Sequence, residues 1–353
     1  MYKRIVIKIG TGVISQNDSF SEGDARRIAE ELTNVRRNGI EVVAVTSGAI
    51  AAGRRRIPDV HGVADNQERR RVITAVGQVD LISLYSQVFM EKNYFCGQVL
   101  VTKGDFRDKE HYAHMKKCFE NLLQQKNVIP IVNSNDAISM PRLTFNENDE
   151  LAGLVAAALN VDATIFLTSV DGVLDKDGKR IPEIRESDLA TYEQYVSDEI
   201  SQHGTGGMRG KFAIAKRLMA QGTTVHIANG KKPGVLSDVS EGRRVGTTFV
   251  PTKKTSAVKR RLAYSEGLAL GAAYVDVGAE KVLLSKKSVS LLPVGVTKIE
   301  GEFKKGDTIE IRNESGKKIG FGVAQYGAET AAPLLGKKGA RALIHYNYLV
   351  ITA

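Results

Sequence analysis

From the N-terminus to about Pro251, short apolar runs alternate with longer segments of helical periodicity. The runs are rich in β-branched residues, and their alternation with helices predicts βαβ units and a mostly parallel sheet. Because a run such as Val42–Val45 shows no polar-apolar alternation, we expect helices to cover both faces of the sheet. The predicted fold class is α/β, a three-layer αβα sandwich around an open sheet. The predicted strands are Arg4–Ile9, Glu41–Thr46, Cys96–Thr102, Val128–Val132, Ala163–Thr168 and Thr224–Ala228.

The pattern changes beyond Thr252, where glycines interrupt strand-length runs and no long amphipathic helix follows Leu262. This pattern predicts a small closed or half-closed β domain, a β pseudo-barrel, that begins near Leu270. A chain of 353 residues suits two domains. We expect a first domain over 1–255, a linker over 256–269 and the β domain over 270–353. The strand-length runs of this region are Lys281–Leu284, Thr308–Ile311 and Lys318–Val323.

Composition indicates a globular protein without a membrane segment. Hydrophobic residues make up 42% and charged residues 25% of the chain, which suits a soluble protein with a substantial core. The apolar stretch Leu151–Leu167 is interrupted by Asn160 and Asp162 and is shorter than the roughly 20 residues that span a bilayer, so it predicts a buried helix followed by a strand. The chain begins with a strand-like segment rather than a secretory signal. Cys96 and Cys118 cannot form a disulfide framework or a metal cluster, so we expect a cytoplasmic location.

Positive charge is concentrated in the C-terminal part of the chain. The formal net charge is +10, and from Pro251 onward 17 Lys and Arg stand against 9 Asp and Glu, a net of +8. This asymmetry indicates either an anionic partner such as nucleic acid or a solvated lysine-rich surface. The region shows no obvious row of aromatic residues interleaved with arginine, which single-stranded nucleic acid would need for base stacking. Charge leaves both interpretations open.

Polar residues follow several predicted strands, where ligands of open α/β sheets bind. Lys8 interrupts an apolar strand just before Gly10-Thr11-Gly12, so it either meets an anion at the strand end or extends to solvent from an edge strand. The third glycine of a dinucleotide fingerprint is absent there. The small residues of Thr46–Gly53 allow an anion to approach backbone amides, or form a tight turn with Ser47 as helix cap.

Two further clusters carry amides, carboxylates or glycines. The residues Asn133–Asp136 and Asn146–Asp149 can hold the charged groups of an amino acid, although each alone also suits a turn or a helix cap. The loop Gly204–Lys211 precedes an amphipathic helix and suits nucleotide phosphates, or is a glycine loop without a ligand. It is not a Walker A loop, because Thr205 stands where glycine is required and Phe212 replaces Ser or Thr.

Taken together and in order, these motifs resemble the glutamate kinases of the amino acid kinase family along nearly the whole chain. The resemblance implies that L-glutamate is bound by Ser47, Gly48, Asp136 and Asn148. It implies that ATP is bound by Lys8, Thr168, Ser169 and the loop residues Thr205, Gly206, Gly207, Met208, Arg209, Gly210 and Lys211. The matching residues are Lys8–Thr11, Val45–Gly53, Ala75–Gln78, Asn135–Ala137, Asn148–Asp149, Gly204–Met208 with Lys211, and Lys232–Val235.

The tail from about Ala272, with Ser290–Val296 and Gly301–Asp307, resembles a PUA domain, a fold shared with RNA-modifying enzymes. The family resemblance further implies the first step of proline biosynthesis, feedback inhibition by proline, and a homo-oligomer, dimer or tetramer. Ser169 departs from the Thr-Asp pair usual in the family and cannot supply negative charge to nucleotide or metal. Glu147 stands where aspartate is common.

The expected reaction is direct attack of the glutamate γ-carboxylate on the γ-phosphorus of ATP, without a covalent enzyme intermediate. A carboxylate is already ionised at neutral pH, so catalysis requires positioning and charge neutralisation against a polyanion. We expect Lys8 and Lys211, as catalytic residues, and Mg²⁺ to supply this charge, and the two ammonium groups must then converge. The alternatives are another amino acid or acetylated amino acid kinase of this fold, and an RNA-binding protein acting through the PUA domain.

Overall fold

The computed structural model describes residues 2–16, 19–139, 148–196, 207–251, 262, 268–285 and 288–352. The chain divides into two compact units. The first comprises Met1–Lys103 and His114–Lys254, and the second comprises Gly104–Ala113 and Thr255–Ala353.

The first unit is built on an eight-stranded sheet. The strands of this part of the chain are β1 (Arg4–Ile9), β2 (Ser15–Gln16), β3 (Ser19–Phe20), β4 (Glu41–Thr46), β5 (Phe95–Val101), β6 (Val128–Ser134), β7 (Ala163–Thr168), β8 (Glu183–Ile184), β9 (Thr224–Asn229) and β10 (Thr247–Phe249). The order across the sheet is β5-β6-β4-β1-β7-β9-β10-β8, while β2 and β3 pair with each other. The strands from β5 to β9 in this order run parallel, and β10 is antiparallel to β9.

Helices cover both faces of this sheet. The helices in this part of the chain are α1 (Glu22–Arg37), α2 (Ala49–Arg56), α3 (Asn66–Glu91), α4 (Lys103–Arg107), α5 (Lys109–Gln124), α6 (Asn148–Leu159), α7 (Leu189–Glu193), α8 (Met208–Ala220) and α9 (Val235–Ser240). Of these, α4 from Gly104 onward and the start of α5 belong to the second unit. Ile5, Ile7 and Ile9 of β1 share a hydrophobic core with α1, α3 and α9. Lys8 alternates to the opposite face, which α6 and α8 cover. The predicted three-layer sandwich is confirmed.

The six strands predicted in this unit are all present. Three match the prediction to the residue, and the other three differ at their ends by one or two residues, as with β6, which extends to Ser134. The stretch Leu151–Leu167 forms most of α6 and β7, as predicted. Because Lys8 pairs in register with Val45 of β4 and with Phe166 of β7, the carboxyl ends of three central strands reach the same edge.

Helix α3 is long and apolar enough, by length and composition alone, to cross a membrane, with 39% of its most apolar window buried. A core helix of a soluble protein passes the same test. One side of α3 is buried against α1, α2 and β5 through residues such as Leu81, Tyr85 and Phe89. It therefore contributes to one helical layer of the first unit.

The second unit is rich in strands, as predicted. Its elements are β11 (Gly271–Val275), α10 (Val277–Leu284), β12 (Val296–Glu300), β13 (Thr308–Asn313), β14 (Lys318–Ala324), α11 (Ala328–Ala331) and β15 (Ile344–Ile351). The sheet order is β12-β11-β13-β14-β15, and Phe303, Ile309, Ile311 and Ile344 lie in its core.

The strand predicted at Lys281–Leu284 is wrong, because these residues form the last turn of α10. Asp276 caps this helix by accepting a hydrogen bond from the backbone N–H of Ala279 at 2.7 Å. A run of four residues is too short for periodicity to separate a strand from a helical turn.

Candidate active site

Two lysines that are about 200 positions apart in the sequence meet at one buried carboxylate. Lys8 Nζ lies 2.7 Å from Asp149 Oδ1, and Lys211 Nζ lies 3.1 Å from Asp149 Oδ2. Lys8 comes from the end of β1, Asp149 from the first turn of α6, and Lys211 from the first turn of α8. The convergence of the two ammonium groups, which the sequence hypothesis requires, is present.

The three side chains differ in how far they are removed from solvent. The side chains of Lys8 and Lys211 keep 8% and 9% of their surface exposed, whereas that of Asp149 keeps 1%. Burial by itself would raise the pKa of Asp149, but the ammonium groups of Lys8 and Lys211 outweigh this effect and hold the pKa below its ordinary value. Two cations around one carboxylate leave a net charge of +1, so the cluster attracts an anion.

A network of side-chain amides joins the ends of β4, β6 and the start of α6. Asn148 Nδ2 donates to Thr46 O at 2.8 Å, to Asn133 Oδ1 at 2.9 Å and to Ser47 Oγ at 3.3 Å. Ser47 and Asn148, predicted to bind the same substrate, are therefore in direct contact. Because Asn148 and Asp149 are consecutive, this network adjoins the lysine cluster.

Gly48, also predicted to bind substrate, starts α2 in a left-handed conformation with φ of 104°. A Cβ atom at this position would lie 2.7 Å from Ile14 Cδ1. The alternative that Ser47 caps the helix is wrong, because Gly48 occupies the cap position and no side-chain hydrogen bond caps α2. The turn therefore leaves the Ser47 hydroxyl for the amide network.

Asp136 lies in the turn that follows β6 and lines a cleft of about 320 Å³. Its Oδ1 is buried and, within the described ranges, accepts no hydrogen bond. Ser47, Asn148 and the two lysines do not line this cleft. The structure thus brings three of the four predicted substrate residues together at the strand ends, whereas Asp136 faces a neighbouring cleft.

The predicted nucleotide residues lie at the ends of β1 and β7 and at the start of α8. Thr168 is the last residue of β7, and Ser169 is exposed beside the turn after β1, where a Cβ on Gly12 would lie 3.4 Å from Ser169 Oγ. Gly207 is the N-cap residue of α8. Met208, Arg209, Gly210 and Lys211 form its first turn. Thr205 and Gly206 lie outside the described residues.

A second cleft, of about 170 Å³, opens next to the ends of β7 and β9. Asp171 forms an ion pair with Lys232 at 2.7 Å and accepts a hydrogen bond from Asn229 Nδ2 at 2.8 Å. Both interactions lower the pKa of Asp171, that with Lys232 more than that with Asn229. Arg180 and Arg244 also line this cleft, which makes it a polar neighbour of Thr168 and Ser169.

Three residues of the site, Asp149, Asn133 and Gln78, lie in motifs that the sequence analysis named, but none of them was assigned a role there. The signal for Asp149 was an aspartate in the first turn of an otherwise apolar helix, where only a paired charge is tolerated. In the part of the chain that the structure describes, no group of three His, Cys, Asp or Glu side chains could hold a metal ion. The described residues therefore do not form a protein cage for Mg²⁺.

The sequence pattern of the amino acid kinase family matches residues 3–229, and that of the PUA domain matches residues 271–345. A glutamate 5-kinase from Chlorobaculum tepidum is 44% identical over 355 residues, covering 99% of this chain and 98% of its own length. A glutamate 5-kinase from Bacteroides thetaiotaomicron is 37% identical over 360 residues, covering 99% of both chains.

Among solved structures, carbamate kinase from Giardia lamblia bound to AMP-PNP superposes with a TM-score of 0.53 at 19% identity. The match covers 70% of this chain and 98% of that one, and it supports the fold alone. The full-length matches and the two domain patterns agree. The chain therefore belongs to the amino acid kinase family, among its glutamate 5-kinases, and carries a PUA domain at its C-terminus.

Proposed function

We propose that the protein transfers the γ-phosphoryl group of ATP to the γ-carboxylate of L-glutamate, giving γ-glutamyl phosphate and ADP, the first step of proline biosynthesis. The relatives that match almost the whole chain are glutamate 5-kinases. The observation that carries the proposal is the cluster of Lys8, Asp149 and Lys211 beside the amide network of Asn148 and Ser47.

The lysine cluster suits the electrostatic problem of this reaction. An ionised carboxylate must approach a triphosphate, and both are anions, so positive charge has to be fixed between them. Lys8 and Lys211 provide it at one point, in a buried site where water screens charge weakly. The γ-carboxylate needs no general base, so positioning and charge neutralisation carry the catalysis.

Asp149 positions the two catalytic lysines rather than reacting itself. Its two oxygens each face one ammonium group and hold both at the end of the sheet. The dipole of α6 stabilises the negative charge of a residue in its first turn. Without this carboxylate, two buried ammonium groups would repel each other.

We assign the nucleotide to the ends of β1 and β7 and the glycine loop before α8. Lys8, Thr168, Ser169 and Gly207–Lys211 would contact the phosphates, together with Thr205 and Gly206. Mg²⁺ would be held largely by phosphate oxygens and water, as is usual for this ion at nucleotide sites. When bound, the ion neutralises phosphate charge.

We propose a homo-oligomer and a cytoplasmic location. Val72, Val79, Ser83 and Met90 line one side of α3, and Val79 and Met90 are 62% and 56% exposed. An exposed, uncharged helix side suits contact with another subunit. Cys96 and Cys118 are both free thiols, which a reducing compartment preserves. Inhibition by proline, as the resemblance implies, belongs to the same proposal.

A second activity, RNA binding by the PUA domain, is favoured by one structural observation. Tyr346 and Tyr348 on β15 are 39% and 38% exposed, and the ring of His345 lies 4.3 Å from that of Tyr346. Neighbouring exposed rings on a strand form a platform on which bases can stack. The sequence alone showed no such row, because the rings line up only once β15 is formed.

Trapping of the acyl phosphate tests the proposed kinase activity. The purified protein is incubated with ATP, Mg²⁺ and hydroxylamine, and hydroxamate formation is compared for L-glutamate, L-aspartate and N-acetyl-L-glutamate. We expect hydroxamate and ADP with L-glutamate only. Equal or faster turnover of aspartate or N-acetylglutamate would favour another kinase of the same fold, and RNA binding without glutamate-dependent ADP release would favour the RNA-binding alternative.

A further inference from the structure

We infer that Gln78 is a further substrate-binding residue, whose side-chain Nε2 donates a hydrogen bond to the α-carboxylate of the bound amino acid. The inference rests on the proposed function and extends the glutamate site to the cleft of about 320 Å³ that Gln78 and Asp136 line. Gln78 lies on α3 and is 9% exposed. It belongs to the motif Ala75–Gln78, to which no role was assigned.

The orientation of the Gln78 amide is determined by backbone groups that can only donate or only accept a hydrogen bond. The backbone N–H of Ser134 can only donate, and it donates to Asn133 Oδ1 at 2.9 Å. Asn133 must therefore turn its Nδ2 the other way, where it donates to Gln78 Oε1 at 2.8 Å. The amide oxygen of Gln78 is thus committed to Asn133.

The same network is fixed at its other end. Asn148 Nδ2 donates both to the carbonyl oxygen of Thr46 and to Asn133 Oδ1. A carbonyl oxygen can only accept, so Asn148 cannot turn its amide around without placing two oxygens against each other. The orientation of the Asn148 amide determines that of Asn133, which in turn determines that of Gln78. Nε2 is therefore the only polar side-chain atom of Gln78 that is left for a ligand.

This Nε2 is a buried donor with no hydrogen-bond partner among the residues that the structure describes. Buried amide groups are rarely left unpaired, since an unmatched donor destabilises the fold. Asp136 Oδ1 is a buried acceptor that likewise has no hydrogen-bond partner among the described residues. Both residues line the same cleft, together with Ser134, Asn135 and the apolar side chains of Val79 and Ile82.

One unpaired donor and one unpaired acceptor match the zwitterionic end of an amino acid. The carboxylate of the ligand accepts from Gln78, and its ammonium group donates to Asp136. Both protein atoms are shielded from solvent, so we expect the turn that carries Asp136 to shift when the ligand enters. The amide network would then connect the α end of glutamate to Asn148 beside the lysine cluster.

Two substitutions of similar volume separate binding from packing. Gln78→Glu keeps an oxygen for Asn133 but presents an oxygen to the ligand carboxylate, so we expect the KM for L-glutamate to rise about 30-fold or more. Gln78→Met keeps the side-chain volume but loses both the donor and Oε1, the acceptor for Asn133, with an expected rise of about 10-fold. In both variants the KM for ATP stays within about 2-fold of the parent, since the nucleotide lies elsewhere.

Gln67→Glu is the matched control, because it places the same charge at an exposed position of the same helix. We expect it to retain parental constants. Thermal unfolding of all variants checks that they are folded. Equal rises in KM for both substrates would show a merely structural role, and unchanged glutamate constants in both Gln78 variants would overturn the inference.

Calorimetric titration of L-glutamate without nucleotide keeps this test separate from the proposed function. If the parent protein binds L-glutamate but releases no ADP, the kinase proposal fails while the ratio of Kd values between parent and Gln78→Glu still tests Gln78. Weaker binding by about 30-fold supports the inference. Equal binding, or no binding by the parent, overturns it.

Discussion

At the scale of single residues, the site depends on a balance of three charges. Lys8 and Lys211 face the two oxygens of Asp149, and all three side chains are more than nine-tenths buried. Removal of one lysine leaves a neutral pair, whereas removal of the carboxylate leaves two buried cations. These changes therefore have different consequences for stability and for turnover.

We expect Lys8→Ala and Lys211→Ala each to lower kcat roughly 100-fold or more, because donors fixed where charge moves contribute several kcal/mol to transition-state binding. ADP release at saturating glutamate and ATP measures this effect. Lys216→Ala is a suitable control, since Lys216 lies on the same helix α8 but pairs with Glu193 at the surface. Near-normal turnover of both Lys8→Ala and Lys211→Ala would contradict the catalytic roles of these two lysines.

Asp149→Asn should affect folding as well as turnover. Removing one partner from a buried ion pair typically costs about 3 to 5 kcal/mol, because the remaining charges stay uncompensated. We expect the free energy of unfolding to fall by about this amount and kcat to fall roughly 100-fold. Denaturant unfolding and ADP release measure the two effects, and a variant as stable as the parent would contradict the charge balance.

The lowered pKa of Asp149 defines the pH range in which its charge stabilises the fold. A group with a depressed folded pKa stabilises the fold above its unfolded pKa, and this contribution is lost as pH falls through the folded pKa. The stability difference between the parent and Asp149→Asn should therefore be constant from about pH 7 to about pH 5 and shrink only below about pH 4. Unfolding at several pH values measures it; a difference already shrinking above pH 5 would argue against a depressed pKa.

At the scale of elements, the turn between β4 and α2 determines where Ser47 lies. Gly48 is left-handed, and the helices that follow approach each other closely through two further glycines. A Cβ on Gly53 would lie 1.9 Å from Ile73 O, and one on Gly77 would lie 1.8 Å from Ala49 O. These glycines let α2 and α3 pack backbone to backbone, and this packing places Gln78 within reach of Asn133.

We expect Gly48→Ala to weaken glutamate binding as well as stability. A left-handed alanine costs roughly 1 to 2 kcal/mol, and its Cβ would displace Ile14 and thereby the neighbouring Ser47. Gly39→Ala provides the control, because Gly39 has φ of 84° with no atom within 4 Å of its Cβ position. Both variants should lose the stability that a left-handed alanine costs, Gly48→Ala should lose more because of the contact with Ile14, and only Gly48→Ala should raise the KM for glutamate. An unchanged KM would show that the turn does not position substrate groups.

At the scale of the whole molecule, the exposed side of α3 tests the proposed oligomer. We expect Met90→Lys to give a smaller species on size-exclusion chromatography with light scattering, because a charge in an apolar contact must be desolvated. Gln124→Lys, at the exposed end of α5, should leave the size unchanged. A parent protein that is monomeric, or a variant of parental size, would contradict the assignment of this surface.

The aromatic residues of β15 test RNA binding by the second unit. We expect Tyr346→Ala with Tyr348→Ala to weaken binding of a single-stranded RNA about 10-fold or more, because each stacked base contributes about 1 to 3 kcal/mol. Fluorescence anisotropy at several salt concentrations measures this affinity. Glutamate-dependent ADP release should remain at the parental level. If the parent does not bind RNA, or if the variant binds it as tightly as the parent, the proposal that these tyrosines stack on RNA bases is wrong.

Most of the fold could be predicted from the sequence, because buried parallel strands give uninterrupted apolar runs, as at Val42–Val45. The wrong strand at Lys281–Leu284 arose because a segment of four residues fits the periodicity of a strand as well as that of a helix. The hydrogen bond from Ala279 N–H to Asp276 caps a helix here. Within the site, Lys8 could be found because charge is unusual inside an apolar strand. Asp149 was named only as part of a polar cluster and its pairing with the lysines was not predicted, because an acidic residue at a helix start is also an ordinary feature of a helix.

The sequence by itself determined the two-layer covering of a parallel sheet, the strand ends at which ligands bind, and the family to which the motifs point. These properties depend on local periodicity and on residue types at fixed spacing. Only the tertiary structure decided that Lys8 and Lys211 share Asp149, and that the amide of Gln78 is oriented through Asn133. Such contacts join residues from distant strands and helices. The spacing of residues along the sequence does not show which buried charges or amides will pair with each other.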